Sequence, residues 1–387
     1  MFVTIPHASV RAVRAAVPDQ EIRIEDELEY YDNSLKKANR ARAMIGTDRR
    51  RLAWPGQTAS DLCAAAARSL LEAHPACRNE TDALIFVSQS PDYDLPATAC
   101  ILQQRLGLPQ TCAAFDVNQG CSGYVYGLWL AAGMINSGCR NVLLLAGDAS
   151  AQPRDRRNRV IAPIFGDGGS ATLVSRADAA APLTFSIGTD GTGHGHIILP
   201  VGRGRVPFHH AFEENRPLFE EVTDAQGVPW RATDPYMDGQ AVFAFTLRVV
   251  PQHIAAHLER AGATREEIAY FVLHQANRQI LSEIAKKAGL PPEKTPSETF
   301  SRYGNLSSAS IPATLCDLFG EAGTTGSKRL LLCGYGVGLS WASCLWDAEQ
   351  CDCAPVINVP RPEAPPTPEV WMDAWRKQLQ GGQHERG

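Results

Sequence analysis

Apolar stretches of strand length alternate along this chain with segments whose apolar residues recur at helical spacing. In the first half, this pattern predicts helices over 60–73, 97–106 and 121–137 and strands over 82–88, 112–117, 142–146 and 171–175. In the second half, it predicts helices over 242–261, 277–288 and 308–319 and strands over 270–274, 329–333 and 339–347. Alternating strands and helices predict an α/β fold. Because both halves are built of βαβ units, we expect a duplication of fold, although no sequence repeat accompanies it.

Two regions depart from this pattern. Residues 188–235 are rich in Gly, His, Arg and Pro and lack periodicity, which indicates a long ordered excursion. Six prolines crowd the stretch 355–368, which should be extended, and a short helix is predicted over 369–379. We therefore divide the chain into a first half over 1–180, a second half over 181–352 and a proline-rich C-terminal extension over 353–387.

Composition and charge exclude several classes of function. Of the 387 residues, 44% are apolar and 20% charged, as in an ordinary soluble enzyme, and the net charge of −5 favours no nucleic-acid partner. We expect no membrane span, because no apolar run is long enough, and no secretory signal in the first thirty residues. Most of the eleven cysteines are scattered singly, which is typical of reduced thiols in a cytoplasmic protein. Cys351 and Cys353 form a close pair without a nearby histidine, so no metal site is expected.

Cys121 is the first candidate for chemistry. It lies where a predicted strand gives way to a helix, between Gly120 and Gly123. Backbone amides and the positive end of the helix dipole at such a position are expected to lower a thiol pKa and to stabilise an oxyanion. Taken alone, the cysteine is better explained as a small buried residue in a tight turn, since free cysteines are usually structural.

Three further motifs follow strands or loops of the second half. His274 ends a buried strand, and side chains there point into the crevice where α/β proteins bind ligands. A structural histidine is an equal alternative, and Asn305 alone is better explained as a cap or turn residue. The glycine-rich turn at 334–338 precedes a strand, so it is not a dinucleotide-binding loop. The order Cys, His, Asn also occurs in papain-like proteases, whose local sequence around the cysteine is missing here.

Together the motifs resemble those of the β-ketoacyl-ACP synthase III family. The matching motifs, in the order of that family and within residues 1–347, are Gly120-Cys121-Ser122-Gly123, Phe165-Gly166-Asp167-Gly168-Gly169, His274-Gln275-Ala276-Asn277, Tyr303-Gly304-Asn305-Leu306-Ser307 and Gly334-Tyr335-Gly336-Val337-Gly338. The resemblance implies a thiolase-like fold in which two related βαβ halves form a five-layered αβαβα body. It also implies a homodimer.

The resemblance implies an acyltransferase with a catalytic set of Cys121, His274 and Asn305. Cys121 would accept an acyl group from acyl-CoA or an acyl carrier protein, with an oxyanion hole formed by the backbone N–H groups of Cys121 and Val337. His274 and Asn305 would stabilise the enolate formed when a malonyl thioester loses CO₂, and a 3-oxoacyl product would follow. CoA or phosphopantetheine thioesters are substrates in this scheme, and no cofactor is required.

Substrate-binding positions of the family are only partly retained. Arg159 matches a CoA-binding arginine, Gly239 and Phe243 match the segment that lines the pantetheine channel, and Asn277 and Arg278 stand near a displaced arginine. The tryptophan of the family that stacks on adenine aligns near Arg40, so that contact is lost. The long excursion and the extra tail predict a relative in specialised metabolism. The arginines at 49–51 and 154–159 are candidates for CoA or carrier-protein contacts, or equally for solvated surface.

Three alternatives remain at the level of sequence. The acyl group on Cys121 could pass to an alcohol or amine without condensation. A thiolase is less well supported, because the second cysteine of that family has no counterpart in the glycine-rich turn. A non-catalytic partner subunit would be expected to lose one member of the Cys–His–Asn set, and this chain retains all three.

Overall fold

The computed structural model of the chain describes residues 1–151, 155–178, 182–206, 220–224, 227–321, 328–348, 351–363 and 368–381. The strands are β1 (Phe2–Ile5), β2 (Ala8–Pro18), β3 (Glu21–Arg23), β4 (Arg49–Arg51), β5 (Thr81–Val87), β6 (Ala113–Val117), β7 (Asn141–Asp148), β8 (Gly168–Arg176), β9 (Leu183–Thr189), β10 (Ile197–Ile198), β11 (Val222–Thr223), β12 (Pro229–Trp230), β13 (Tyr236–Met237), β14 (Tyr270–Leu273), β15 (Lys328–Gly336), β16 (Ser340–Ala348), β17 (Asp352–Cys353) and β18 (Ile357–Val359). The helices are α1 (Leu35–Ile45), α2 (Ala59–Ala73), α3 (Ala76–Glu80), α4 (Thr98–Arg105), α5 (Gly123–Asn136), α6 (Gly239–Ala261), α7 (Arg278–Ala288), α8 (Glu298–Tyr303), α9 (Ser310–Phe319) and α10 (Pro368–Gly381).

Two large mixed sheets organise these elements. The first has the strand order β17-β2-β8-β7-β5-β6, with β18 also paired to β2, and the second has the order β1-β9-β16-β15-β14. In the first sheet β5 runs parallel to β6 and β7, whereas β8 is antiparallel to β7. In the second sheet β14 and β15 are parallel and β15 and β16 antiparallel. Strands β5 and β7 are buried along nearly their whole length, as expected for strands covered on both faces.

Helices cover both faces of each sheet. Residues of α5 and α9 pack between the two sheets in one core cluster, which includes Leu128 and Leu315. The outer face of the first sheet packs against α2 and α4, and that of the second sheet against α6 and α7. The layers therefore follow the order αβαβα, which confirms the predicted architecture.

Predicted elements agree with the structure over most of their length. The strand predicted over 171–175 begins earlier, at Gly168, so the last two glycines of the Phe165–Gly169 motif belong to the strand. The helix predicted over 308–319 opens as a 3-10 turn, Ser307–Ala309, before α9. Strands β1–β4 and helix α1 were not predicted. Within the excursion at 188–235 the structure has the short strands β10, β11 and β12 and a 3-10 turn, Gly191–His196, and its residues 207–219 and 225–226 lie outside the described ranges.

The chain termini join sheets far from them in sequence. Strand β1 pairs antiparallel with β9 of the second sheet. Strands β17 and β18 pair in parallel with β2, so part of the predicted extended tail continues the first sheet. The predicted tail helix is present as α10. Each end of the chain therefore adds strands to the sheet that is built mainly from the other half.

Candidate active site

Cys121 lies in the turn between β6 and α5, directly before Ser122, the residue that precedes the first turn of the helix. The turn is closely packed by the second half of the chain. A side chain on Gly336 would place its Cβ 2.7 Å from the Cβ of Cys121 and 2.9 Å from its Sγ. Gly336 also has a φ of +154°, which favours glycine. A glycine is therefore required at position 336 to bring β15 against the nucleophile turn.

The Cys121 thiol is less acidic than its place at a helix N-terminus predicts. Burial raises its pKa to about 11, although the backbone N–H of Val337 acts in the opposite direction. The Asp148 carboxylate also raises the pKa, and the Ser307 hydroxyl lowers it. The expectation of a lowered pKa is therefore wrong for this structure, because desolvation of the thiolate outweighs the nearby N–H donors.

His274 follows β14, as the sequence predicts, and its backbone N–H donates to the carbonyl of Cys333 at 2.8 Å. Burial lowers the pKa of His274 to about 3, with an opposing contribution from the Ser307 backbone carbonyl, which accepts from the ring. The imidazole is therefore neutral, with one protonated ring nitrogen. Its Nδ1 is buried and has no partner among the described residues. The ring packs edge-on against Tyr335, with centroids 5.5 Å apart.

Asn305 is held by its own turn. Its Oδ1 accepts the backbone N–H of Ser307 at 2.9 Å, and its Nδ2 lies 3.4 Å from the carbonyl oxygen of Ala276. The N–H of Ser307 needs an acceptor, so the amide oxygen must lie on that side and the orientation of the Asn305 amide is defined. Its Nδ2 is therefore directed towards Ala276, two residues after His274. Ser307 adopts a φ of +50°, a region that non-glycine residues seldom occupy. Its contacts with both Cys121 and His274 bring the three predicted residues to one site.

The glycine-rich turn after β15 carries Val337. A side chain on Gly120 would clash with the Oε1 of Gln89 and lie 2.7 Å from the Cγ1 of Val337, so both side chains border the nucleophile turn. Ser340 links the two halves of the chain, since its hydroxyl lies 2.7 Å from that of Ser122 and donates to the Val337 carbonyl at 2.7 Å. The Val337 N–H thus belongs to a turn that is fixed against Cys121.

Sequence analysis missed a buried carboxylate at this site. Asp148 ends β7 and is 2% exposed, and the Ser308 hydroxyl donates to it at 2.8 Å. The available signal was an acidic residue after the apolar run 142–146, at the strand end where ligands bind in α/β proteins. The role of Ser307 had no such signal, because its positive φ depends on tertiary contacts.

The predicted substrate-binding residues lie on several elements. Arg159 is exposed and lines a cavity of about 230 Å³ together with Tyr30, Arg157 and Glu221. Gly239 and Phe243 lie four residues apart at the start of α6, and therefore on one face of the helix.

Asn277 and Arg278 begin α7. The Asn277 side chain caps the helix by accepting the N–H of Ile280 at 2.8 Å, which leaves only its NH₂ group for a ligand. Arg278 is exposed and packs its Cβ against Gly46, the residue that ends α1. Arg40, where the adenine-stacking tryptophan aligns, is an exposed residue of the same helix.

Within the described ranges, the structure contains no group of three or more His, Cys, Asp or Glu side chains arranged to hold a metal ion. Over the same residues, no helix combines the length and the apolar character needed to cross a membrane.

Comparisons with known proteins agree with this fold. The family model for 3-oxoacyl-[acyl-carrier-protein] synthase III matches residues 115–191, and the model for its C-terminal part matches residues 258–348. A β-ketoacyl-[acyl-carrier-protein] synthase III of Caldanaerobacter subterraneus is 33% identical over 77% of this chain and 86% of its own length.

Solved structures show the same relationship. A 3-oxoacyl-(acyl-carrier protein) synthase from Burkholderia xenovorans is 34% identical, with a TM-score of 0.84 over 93% of this chain and 99% of the other. The priming β-ketosynthase of the R1128 polyketide biosynthetic pathway is 26% identical, with a TM-score of 0.75 over 89% of this chain and 98% of the other.

The fold has five layers in the order αβαβα, and its cysteine lies at a strand–helix turn, with the histidine and asparagine supplied by the other half. These features define the class of thiolase-like acyltransferases. Within that class, the chain belongs to the 3-oxoacyl-[acyl-carrier-protein] synthase III family.

Proposed function

We propose that this chain loads an acyl group onto Cys121 and condenses it with a malonyl thioester, with loss of CO₂, to form a 3-oxoacyl thioester. The single observation that carries the proposal is the convergence of Cys121, His274 and Asn305 around Ser307. A neutral histidine beside an asparagine amide provides two uncharged donors, which suits stabilisation of an enolate oxygen.

In the loading step the Cys121 sulfur attacks the thioester carbonyl of the donor. The carbon–sulfur bond of the donor breaks, and the departing thiolate takes up the proton that Cys121 loses. His274, with its low pKa, is a weak base for that proton, so the N–H groups of Val337 and Cys121 carry most of the stabilisation as negative charge develops.

In the condensing step the malonyl carboxylate leaves as CO₂, and its electron pair forms an enolate on the thioester. The protonated nitrogen of His274 and the Nδ2 of Asn305 donate to the enolate oxygen. The carbanion then attacks the acyl carbonyl on Cys121, the carbon–sulfur bond to Cys121 breaks, and the 3-oxoacyl product is released. The Cys121 thiolate that leaves takes up a proton from solvent, which restores the thiol. Removal of one such donor typically costs 10²–10³-fold in rate.

The loading step is tested by intact mass after brief incubation with a pool of acyl-CoAs. A discrete gain in mass is expected in the wild type but not in Cys121→Ala. Cys100→Ala, which removes an exposed cysteine, is the matched control and should show the same gain as the wild type. A gain that persists in Cys121→Ala would contradict the assignment of the nucleophile. No gain from CoA or carrier-bound donors would favour a non-catalytic partner subunit.

Condensation is tested by product analysis with and without a malonyl thioester. A 3-oxoacyl product and CO₂ are expected only when the malonyl thioester is present. Transfer of the acyl group to an added alcohol or amine, with no malonyl-dependent product, would support the alternative of simple acyl transfer.

Acyl-CoA and a malonyl thioester are the proposed substrates, and an acyl carrier protein is the proposed protein partner. CoA or phosphopantetheine thioesters enter as substrates, and the proposed reaction uses no cofactor. Arg159 supports this proposal because it borders a cavity of about 230 Å³ in which Arg157 is the second guanidinium. Arg157 is already paired with Asp155 and Glu221, so Arg159 is the better candidate for a CoA phosphate. Arg159→Ala is expected to raise KM for acyl-CoA with little change in kcat. An equal loss in kcat and kcat/KM would contradict a role in CoA binding, because it would indicate an interaction made only in the transition state.

A homodimer is also proposed, and the edge strand β6 supports it. This strand ends the first sheet and is half-exposed, and the loop before α4 carries the exposed side chains of Tyr93 and Leu95. An unpaired edge beside exposed apolar residues is suited to pairing with a second copy. Light scattering should give twice the 42.0 kDa chain mass, and a mass of one chain would refute the dimer.

We further propose a cytoplasmic enzyme of specialised metabolism. Eleven free cysteines support a reducing compartment. The likeness to a priming polyketide β-ketosynthase and the extension beyond the matched C-terminal region support a role outside ordinary fatty-acid synthesis. A strong preference for acetyl-CoA together with rescue of a strain that lacks its housekeeping synthase III would contradict that role.

A further inference from the structure

Asp148 connects two loops that border the nucleophile. Its Oδ1 accepts the backbone N–H of Gln89 at 2.8 Å and lies 3.3 Å from the Ser88 hydroxyl, after the end of β5. Its Oδ2 accepts the N–H of Ser308 at 3.2 Å and the hydroxyl of Ser308 at 2.8 Å, in the turn that follows Asn305. One carboxylate therefore ties a loop of the first half to the Asn305 turn of the second half.

Both of these loops bear on reacting groups. Gln89 borders Gly120, the residue before the nucleophile. The Ser308 turn holds Ser307 at a φ of +50°, and Ser307 in turn donates its N–H to Asn305. Backbone of a non-glycine residue in this region is strained and persists only where the surroundings hold it in place. The two bonds from Ser308 to Asp148 are such a restraint.

The hydrogen-bond partners of Asp148 also indicate its charge. Among the described residues, every hydrogen-bond partner of this carboxylate is an N–H or hydroxyl group that can donate, which suits the ionised form. Burial raises its pKa, and the donors of Gln89, Ser307 and Ser308 oppose that shift. The negative charge of Asp148 also acts to raise the pKa of Cys121, in the same direction as burial. The other titratable groups close to the thiol, His274 and Tyr335, are neutral because burial lowers the pKa of the first and raises that of the second.

We propose that Asp148 is a positioning residue, which fixes the Asn305 turn for condensation through its hydrogen bonds to Gln89 and Ser308. The role in condensation rests on the proposed function, whereas the effect on the thiol does not require any turnover. Asp148 acts through its hydrogen bonds to Gln89 and Ser308 and through its charge, and it makes no contact with the reacting atoms in this scheme. Its substitution should therefore alter two separable properties of the site.

The experiment compares Asp148→Asn with Asp317→Asn. Asp317 is a matched control, because burial raises the pKa of its carboxyl and it accepts the Thr299 and Tyr303 hydroxyls, but it does not contribute to the shift described for Cys121. Iodoacetamide alkylation of Cys121, followed by intact mass across pH, measures the acidity of the thiol. Asp148→Asn should alkylate several-fold faster than wild type at a given pH, and Asp317→Asn at the wild-type rate.

Condensation is measured on the same variants as malonyl-dependent CO₂ release, beside acyl loading of Cys121. Asp148→Asn should lower the condensation rate by about 10–100-fold, since displacement of a reacting group by ~1 Å costs of that order. Loading should fall much less, because Cys121 and Val337 lie on other turns. A fall in Tm alone, matched by Asp317→Asn, would overturn the positioning role.

Ser308→Ala keeps the proposal testable if Asp148→Asn does not fold. This variant retains the carboxylate and removes one bond to the Asn305 turn. It should slow condensation while leaving the rate of Cys121 alkylation no faster than in wild type. Unchanged condensation in Ser308→Ala and Asp148→Asn, with normal loading, would overturn the proposal and leave the proposed function intact. Absence of acyl loading in the wild type would instead refute the proposed function. The pH profile of Cys121 alkylation would then still test the effect of the Asp148 charge on the thiol.

Discussion

At the scale of single residues, burial decides the resting state of the nucleophile. With a pKa of about 11, only about one Cys121 thiol in 10⁴ is ionised at pH 7. The rate of iodoacetamide alkylation of the wild type should therefore rise about tenfold per pH unit from pH 7 to pH 9, without a plateau. The rate is measured by intact mass with Cys121→Ala as the background. A plateau with a midpoint near pH 7 would show that the helix N-terminus, and not burial, controls the thiol.

His274 allows the two half-reactions to be separated. Its neutral imidazole is assigned to the enolate and not to the loading step, so His274→Ala should retain loading of Cys121. Malonyl-dependent CO₂ release should fall by about 10²–10³-fold, because one donor to the developing oxyanion is lost. Asn305→Ala should show the same pattern. Equal loss of loading and CO₂ release in His274→Ala would indicate that the histidine activates the thiol instead.

The sequence predicts these residues unequally. Cys121 and His274 could be predicted because each follows an apolar strand. The pattern of apolar residues shows where such a strand ends. The acidity of Cys121 was predicted with the wrong sign, since desolvation depends on neighbours from both halves of the chain. Ser307 and Ser308 lie in a turn with a positive φ at Ser307, and Ser308 hydrogen-bonds to Asp148 at the end of β7. Such restraints come from tertiary structure and leave no local pattern.

At the scale of elements, α6 carries a pair of histidines against β9. His257 Nδ1 lies 2.7 Å and His253 Nε2 3.1 Å from the Ser186 hydroxyl, and burial lowers the pKa of both to about 4. The N-terminal ammonium opposes protonation of His253, and Arg260 stacks on Phe2 beside His257. The cluster is therefore neutral in the folded state and is surrounded by positive charge.

This cluster predicts acid lability of the α6 packing. A histidine with an unfolded pKa near 6.5 and a folded pKa of about 4 binds more protons when unfolded, so stability falls as the pH decreases from about 6.5 to about 4. The slope is at most about 1.4 kcal/mol per pH unit for each histidine. Thermal unfolding of wild type and His257→Gln between pH 4.5 and 8 measures it. The variant should lose less Tm on acidification, and identical slopes would exclude the cluster.

The boundaries of elements were predictable where periodicity and caps coincide. Helix α7 follows from its apolar face, its Asn277 cap and its terminal Gly289. The early start of β8 was not predictable, because glycines in a central strand resemble a turn. Gly169 is required there by a close approach, since a Cβ at that position would lie 2.7 Å from the backbone carbon of Leu62 in α2.

At the scale of the whole molecule, the site exists only where the two halves meet. Cys121 and Asp148 come from the first half, and His274, Asn305 and Val337 from the second. The duplicated βαβ pattern predicted two halves but not that β1 would join the second sheet or that β17 and β18 would join the first. Such exchanges depend on which sheet edge is free, which is a property of the assembled fold. The C-terminal extension is consequently part of the folded body at its start.

An ion pair ties the residue directly before this extension to the first sheet. Asp352 lies 2.6 Å from the Arg14 guanidinium, whose side chain is 5% exposed, and 2.9 Å from His74. Burial acts to raise the pKa of Asp352, but the hydrogen bonds from Arg14 and His74 outweigh it, and the net effect is a lowered pKa. Asp352→Ala would leave Arg14 buried with a weakened set of partners, because its remaining bonds are to the carbonyls of Val13 and Asp352.

We expect Asp352→Ala to lower the free energy of unfolding by about 1–2 kcal/mol, below the cost of breaking a fully buried pair because Asp352 is partly exposed. Urea denaturation measures the loss. Asp373→Ala is the matched control, since its partner Arg376 is an exposed residue of α10 and the variant should change stability by less than about 0.5 kcal/mol. Below the folded pKa of Asp352 the difference between wild type and Asp352→Ala should disappear, because protonation removes the same charge. Equal effects of the two substitutions would mean that the extension does not depend on Arg14, and that strand pairing with β2 alone holds it.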